Sequence, residues 1–290
     1  VKNPVTKYLP ARFRKDVVPI PVVRINGTIM AGGGRLRTSI SLATVAQGLD
    51  KAFSVKKAPA VAIVVNSPGG SPVQSRLIYQ RIRDLAVEKD KAVLVFVEDV
   101  AASGGYMIAC AGDEIIADPS SIVGSIGVVT GSFGFVEAMR KLGVERRVHT
   151  AGENKVTLDP FQPEKPEDVA HLKALQREIH EVFIDLVKTR RGTKLADDPD
   201  LFTGLFWSGL RGLELGLVDR LGDLRGVLKE RYGEAAKPML VQQARGWFGR
   251  KTPGVTSVLG LPDGTAVGAG AAEALIAAAE ERSLWQRYGL

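Results

Sequence analysis

Apolar positions in this sequence follow two rhythms that alternate along the chain. The runs Pro59–Val65 and Ala92–Val97 leave no room for a polar face and predict strands buried on both sides, as in a parallel sheet. Ile20–Ile25, Glu114–Ala117 and Val144–His149 read as further strands. Between them the spacing turns helical. Ile40–Phe53 is one such stretch. The next places Val73, Leu77, Ile78, Ile82 and Leu85 on one face and charges on the other. Small residues from Met107 to Gly112 predict a tightly packed helix behind a sharp turn at Ser103, and Ile122–Val129 is turn-rich. Phe133–Leu142 is helical, and Glu167–Arg191 is a long amphipathic helix with Val169, Leu172, Leu175, Ile179, Val182, Phe183, Leu186 and Val187 on one side. Trp207-Ser208-Gly209 opens another helix with Leu213, Leu217 and Val218 inward, and Leu224–Tyr232 follows. Alternating strands and helices predict an α/β fold with a mainly parallel sheet.

The same pattern divides the chain into a basic, proline-punctuated arm (1–19), a main domain (20–235) and a C-terminal linker and helix (236–290). The chain loosens from Lys237, residues 253–270 read as a small-residue linker, and Ala271–Tyr288 as a terminal helix. The Ala31-Gly32-Gly33-Gly34 loop lacks the spacing of a phosphate cradle and reads as a flexible loop. Gly246-Trp247-Phe248-Gly249-Arg250-Lys251 mixes aromatics with bases; it reads as a packed turn, with a membrane-surface contact as the alternative.

Composition changes this picture only at its margins. The 290 residues are 45% hydrophobic and 24% charged, with a net charge of +7, which fits an ordinary globular protein with at most weak attraction to anionic partners. No nucleic-acid partner is indicated. The single cysteine, Cys110, excludes an internal disulfide and sits in a core-like run, and three scattered histidines make no zinc pattern. No apolar stretch of about 18 residues is present. The start carries no apolar signal core, so a cytoplasmic protein is expected, at most peripheral to the inner membrane.

Chemistry concentrates at two glycine turns that each follow a buried strand, Asn66-Ser67-Pro68-Gly69-Gly70 and Ala101-Ala102-Ser103-Gly104-Gly105. In a parallel sheet both turns reach the same edge, where ligands bind. Ser103 is the candidate nucleophile, and the amides of Gly69 and Gly104 are candidates for an oxyanion hole. A serine hydroxyl requires a base. His149 ends an expected strand without a motif around it, while His171 and His180 fall on the long helix as solvent or packing residues. A buried lysine can serve, because desolvation lowers its pKa by up to about 3–5 units. Lys155 is the candidate, although spacing alone favours a surface lysine there.

These motifs, together with Asp118-Pro119 and Gly124-Ser125-Ile126-Gly127-Val128, resemble the signal peptide peptidase A family of serine–lysine proteases over about residues 20–235. The resemblance implies a Clp protease/crotonase-like spiral of β-β-α units. It implies Ser103 as nucleophile, Lys155 as general base, Ser125 as the residue orienting that lysine, and Gly69 and Gly104 as the oxyanion hole. The segment after the lysine, Val156-Thr157-Leu158, departs from the usual family pattern, as does the lack of an N-terminal anchor. In double-length relatives the serine and lysine come from different halves; this chain holds one such half. A homo-oligomeric ring is therefore implied, with Lys155 reaching Ser103 of a neighbour. The chemistry requires no metal, ATP or nucleotide, and the substrate class is peptide or protein. Two other readings stand beside it: a crotonase-like acyl-CoA enzyme using Glu98, Asp99, Asp113 or Glu114, and a catalytically silent ring scaffold at a membrane.

Overall fold

The computed structural model describes residues 17–31, 39–241, 278–279 and 282–290. Its centre is an eight-stranded, mainly parallel sheet in the order β6-β5-β3-β2-β1-β8, with β4 paired to β3 and β7 to β4. The strands are β1 (Val18–Asn26), β2 (Ala60–Ser67), β3 (Ala92–Ala102), β4 (Glu114–Ala117), β5 (Ile122–Gly124), β6 (Phe206–Ser208), β7 (Arg220–Leu221) and β8 (Ala236–Leu240). Only β5 and β6 run antiparallel.

β2 is buried at every position, as its unbroken apolar run requires. Alternate residues serve two cores. Val61, Ile63 and Val65, with Val93 and Val95 of β3, pack under the helices α1 (Leu42–Phe53), α2 (Pro72–Lys89) and α3 (Gly104–Ala109). Ala62, Val64, Leu94 and Phe96 face the other way, against Val227 and Leu228 of α7 (Leu224–Tyr232). Each such valine, isoleucine or leucine contributes about 1.5–3 kcal/mol of burial.

β3 is divided along its outer edge. Leu94–Val97 pair with β4, and Val100–Ala102 pair with β5. The Asp118-Pro119 motif makes the turn between those two strands. Asp118 accepts the Ser120 amide at 2.8 Å, and the Ser121 hydroxyl donates to the Glu98 carbonyl at 2.5 Å.

Several sequence readings are corrected. On α2 the buried residues are Ser75, Ile78, Ile82, Leu85 and Ala86, while Val73 and Leu77 are exposed; Ser75 faces α3, where a Cβ on Gly104 would collide with its hydroxyl oxygen. No strand forms at residues 144–149, which lie exposed with no strand beside them. The long helix α5 (Pro166–Arg191) buries only Phe183, Val187 and Arg191. Within α6 (Gly209–Glu214) Leu213 faces outward, although Leu217 and Val218 beyond it are buried. The sheet continues past residue 235, since β8 pairs in parallel with Val18–Val22 of β1. The loop 32–34, the segment 246–251 and the linker 253–270 lie outside the described residues, as does most of 271–281.

Candidate active site

The turn between β3 and α3 is tight because Gly105 packs flush on β2. A Cβ there would stand 2.5 Å from the Ser67 carbonyl oxygen. Ser103 therefore takes φ 52° and ψ −123°, a conformation that costs a non-glycine residue about 1–3 kcal/mol. The surroundings hold it there. Its amide donates to the Gly124 carbonyl at 2.8 Å, and its carbonyl accepts the Met107 amide at 3.0 Å. Ser103 is half-buried and lines a cleft of about 700 Å³ together with Pro68, Gly70, Ser125, His180 and Phe206.

The second glycine turn meets the first. A Cβ on Gly69, whose φ is +98°, would lie 2.8 Å from the Gly104 nitrogen and 2.8 Å from the Ser103 Cβ. The two expected oxyanion donors are thus neighbours with different commitments. The Gly69 amide donates to Ser67 Oγ at 3.2 Å. Gly104 opens α3, where a helix has no internal acceptor for its amide. The turn is set by the end of β2: Asn66 Nδ2 donates to Asp99 at 2.7 Å, and Asn66 Oδ1 accepts the Val100 amide at 3.2 Å across a register shift.

Ser125 forms the opposite wall, with φ 54° and its amide donating to the Leu205 carbonyl at 2.7 Å. Its hydroxyl is engaged by Tyr288, whose OH lies 3.1 Å away. Trp207 closes against Gly124, where a side chain would come within 2.8 Å of the indole.

Lys155 stands elsewhere. It is exposed, and it is not among the residues lining the Ser103 cleft. It belongs to an arm, residues 129–165, that lies largely exposed and buries no residue. The arm helix α4 (Val136–Leu142) buries no residue. Phe133 and Leu142 are 78% and 76% exposed. The arm has internal order of its own: Phe135 stacks on Phe161 at 5.5 Å, Arg146 lies over Phe161 and pairs with Asp159, and the Leu158 amide donates to Asp168 of α5 at 3.2 Å. His149 shares the arm and is exposed.

His180, set aside in the sequence as a solvent or packing residue, lines the cleft. Its Nε2 lies 2.9 Å from the Ile126 carbonyl, which ties α5 to the Ser125 wall. One signal was available, its position near the inward-facing Phe183. The four carboxylates of the acyl-CoA reading are all occupied in structural bonds. Glu98 pairs with Arg24 and Glu114 with Arg231, Asp99 holds Asn66, and Asp113 binds Arg83 and the Val93 amide. Among the described residues no group of histidine, cysteine and carboxylate side chains could hold a metal ion.

Comparison with known proteins places the chain among relatives of the same fold and family. The solved structure of the 1510-N membrane-bound stomatin-specific protease, a lysine-to-alanine mutant in complex with a substrate peptide, shares the fold at a TM-score of 0.50 and 16% identity, over 79% of this chain and 94% of that one. A protein named Na(+)/H(+) antiporter NhaA from Brucella abortus is 62% identical over 284 residues, or 98% of this chain and 39% of that protein. The chain thus spans about two fifths of the length of that relative. Among its described residues no helix is long and apolar enough to cross a membrane. The chloroplastic serine protease SPPA of Arabidopsis thaliana is 32% identical over 71% of this chain and 31% of its own length. The profile of Peptidase family S49 matches residues 86–236, just over half the chain and the stretch that carries Ser103, Ser125 and Lys155. With the serine turn, its glycine partner and these matches together, the chain belongs to peptidase family S49, a family of serine peptidases.

Proposed function

We propose that this chain is the peptidase unit of a serine endopeptidase that works through a Ser103–Lys155 dyad completed between copies of the chain. The observation that carries the reading is the backbone of Ser103: a strained serine at a helix start, at the common edge of two parallel strands, touching a second glycine turn. Such strain persists where a side chain must be held in one direction.

In this reading the arm of a neighbouring copy brings Lys155 into the cleft beside Ser125, whose hydroxyl orients the amine. Lys155 Nζ takes the proton of Ser103 Oγ as that oxygen attacks the peptide carbonyl carbon. The Gly104 amide receives the developing oxyanion, and the Gly69 amide turns from Ser67 Oγ to join it. The C–N bond breaks as Lys155 returns the proton to the leaving amine. Water, deprotonated by the same lysine, then cleaves the Ser103 ester. The substrates proposed are released signal peptides and other small or unfolded peptides, since a cleft open at its mouth admits an extended chain. The activity of any longer protein containing this unit is part of the same proposal.

A fluorophosphonate probe tests the nucleophile, and mixed particles test the dyad. Ser103 is expected to take the label, and Ser103→Ala to abolish it. Mixing Ser103→Ala with Lys155→Ala chains is expected to restore part of the hydrolysis that each lacks alone. No recovery in confirmed mixed particles rejects the shared dyad, and no label on the assembled native particle rejects the serine.

A further inference from the structure

The cleft above Ser103 is partly filled by the chain itself. Leu284, Arg287 and Tyr288 line it together with Ser103 and Ser125. Tyr288 is the anchor: its hydroxyl is 3.1 Å from Ser125 Oγ, and its ring meets Phe206 edge to face at 5.0 Å. Residues 282–286 are helical, and the turn after them closes on itself. The Tyr288 amide donates to the Trp285 carbonyl at 3.0 Å and the Gly289 amide to the Gln286 carbonyl at 3.1 Å. A peptide bond about to be cleaved must lie extended, with its carbonyl free to enter the oxyanion hole. The carbonyls of Ser283, Trp285 and Gln286 accept amides within this turn, so the segment sits in the cleft folded rather than extended.

We infer that residues 282–290 form an autoinhibitory latch, which holds Ser125 through Tyr288 and leaves when a neighbour's Lys155 and an extended peptide enter. The inference rests on the dyad reading above, because it is the lysine-orienting hydroxyl that Tyr288 takes. Latch and lysine compete for one hydroxyl, so a separate copy is closed and an assembled one is open. Leu284 and Tyr288, which reach the cleft, are only half-buried, which suits a device that must release.

The experiment compares the whole native chain with its Tyr288→Ala and Tyr288→Phe variants. Two rates are followed: tryptic cleavage after Arg282 and Arg287, and labelling of Ser103 by a fluorophosphonate. Losing the ring and the hydroxyl is expected to raise both rates about fivefold or more, with Tyr288→Phe between the two. Equal tryptic rates in all three chains overturn the latch, whatever the activity. Faster tryptic cleavage with unchanged labelling overturns its blocking role. Faster cleavage with no label on any chain upholds the docking and rejects the serine nucleophile instead.

Discussion

Gly69 and Gly104 lie so close that a methyl group on the first would stand 2.8 Å from the amide nitrogen of the second. The backbone of Gly69 is also at φ +98°, where L side chains are strained. Gly69→Ala is therefore expected to push the two turns apart and to disturb both the oxyanion geometry and the seat of Ser103, whose Cβ the new methyl would also meet at 2.8 Å. A fall in kcat of about 10²–10³, with KM little changed, is the expected result for the loss of one donor. Steady-state kinetics on a chromogenic peptide would show it; a change confined to KM would contradict it.

The arm predicts a second outcome. Phe133 and Leu142 contribute nothing to the body of this chain, yet both are large and apolar. Phe133→Ser with Leu142→Ser is expected to leave thermal stability unchanged and to dissociate the proposed assembly, with loss of activity. Sedimentation velocity and a melting curve, run on the same sample, separate this from simple unfolding. An unaltered sedimentation coefficient would show that the arm is not the contact.

The body has its own keystone. Arg191 of α5 is buried, and its guanidinium donates to both carboxylate oxygens of Asp219 at 2.8 and 3.0 Å. The Ile115 amide and Lys194 complete the set at 2.7 and 2.6 Å. Burial alone would raise the Asp219 carboxyl, but the bonds from Arg191, Lys194 and Ile115 outweigh it and hold it below its ordinary 3.8. A depressed folded value means stability that is present above pH 3.8 and is lost as the pH falls through the lower folded value. Asp219→Asn leaves the buried guanidinium unpaired and is expected to cost about 3–5 kcal/mol in urea unfolding at pH 7. The difference between the two chains should shrink as the native carboxylate is protonated.

Cys110 gives a fourth expectation. Burial pushes its thiol up to about 12 from 9.0. A raised value means that the contribution to stability is complete below pH 9.0 and is lost as the pH rises through about 12. At pH 8 the folded chain should not react with a disulfide reagent, whereas the denatured chain should release one equivalent. Rapid reaction of the native chain would mean that α3 opens readily.

Much of this architecture could be read before folding, and the failures have physical causes. β2 was legible because no charge interrupts Ala60–Val65, and the Ser103 turn because three small residues follow a buried strand. Val144–His149 was read as a strand, but its two valines stand among charged residues and offer too little apolar surface to bury, so it forms none. β8 was missed for the opposite reason. Pro238 argues against a strand, yet it sits at the sheet's outer edge, where its missing N–H costs nothing. Helical periodicity located α2 and α5 but not how much of each face would be covered, since coverage depends on partners remote in sequence. The meeting of Tyr288 with Ser125 spans 163 positions and left no local trace.

The forked edge of β3 has a mechanical consequence. The strand that delivers Ser103 is clamped along its length by β2, whereas the Ser125 and Phe206 wall hangs from three residue pairs to β3 and three between β5 and β6. Floor and wall therefore differ in stiffness. Under a bulky side chain the wall is the part expected to yield, while the attacking oxygen stays seated on its clamped strand.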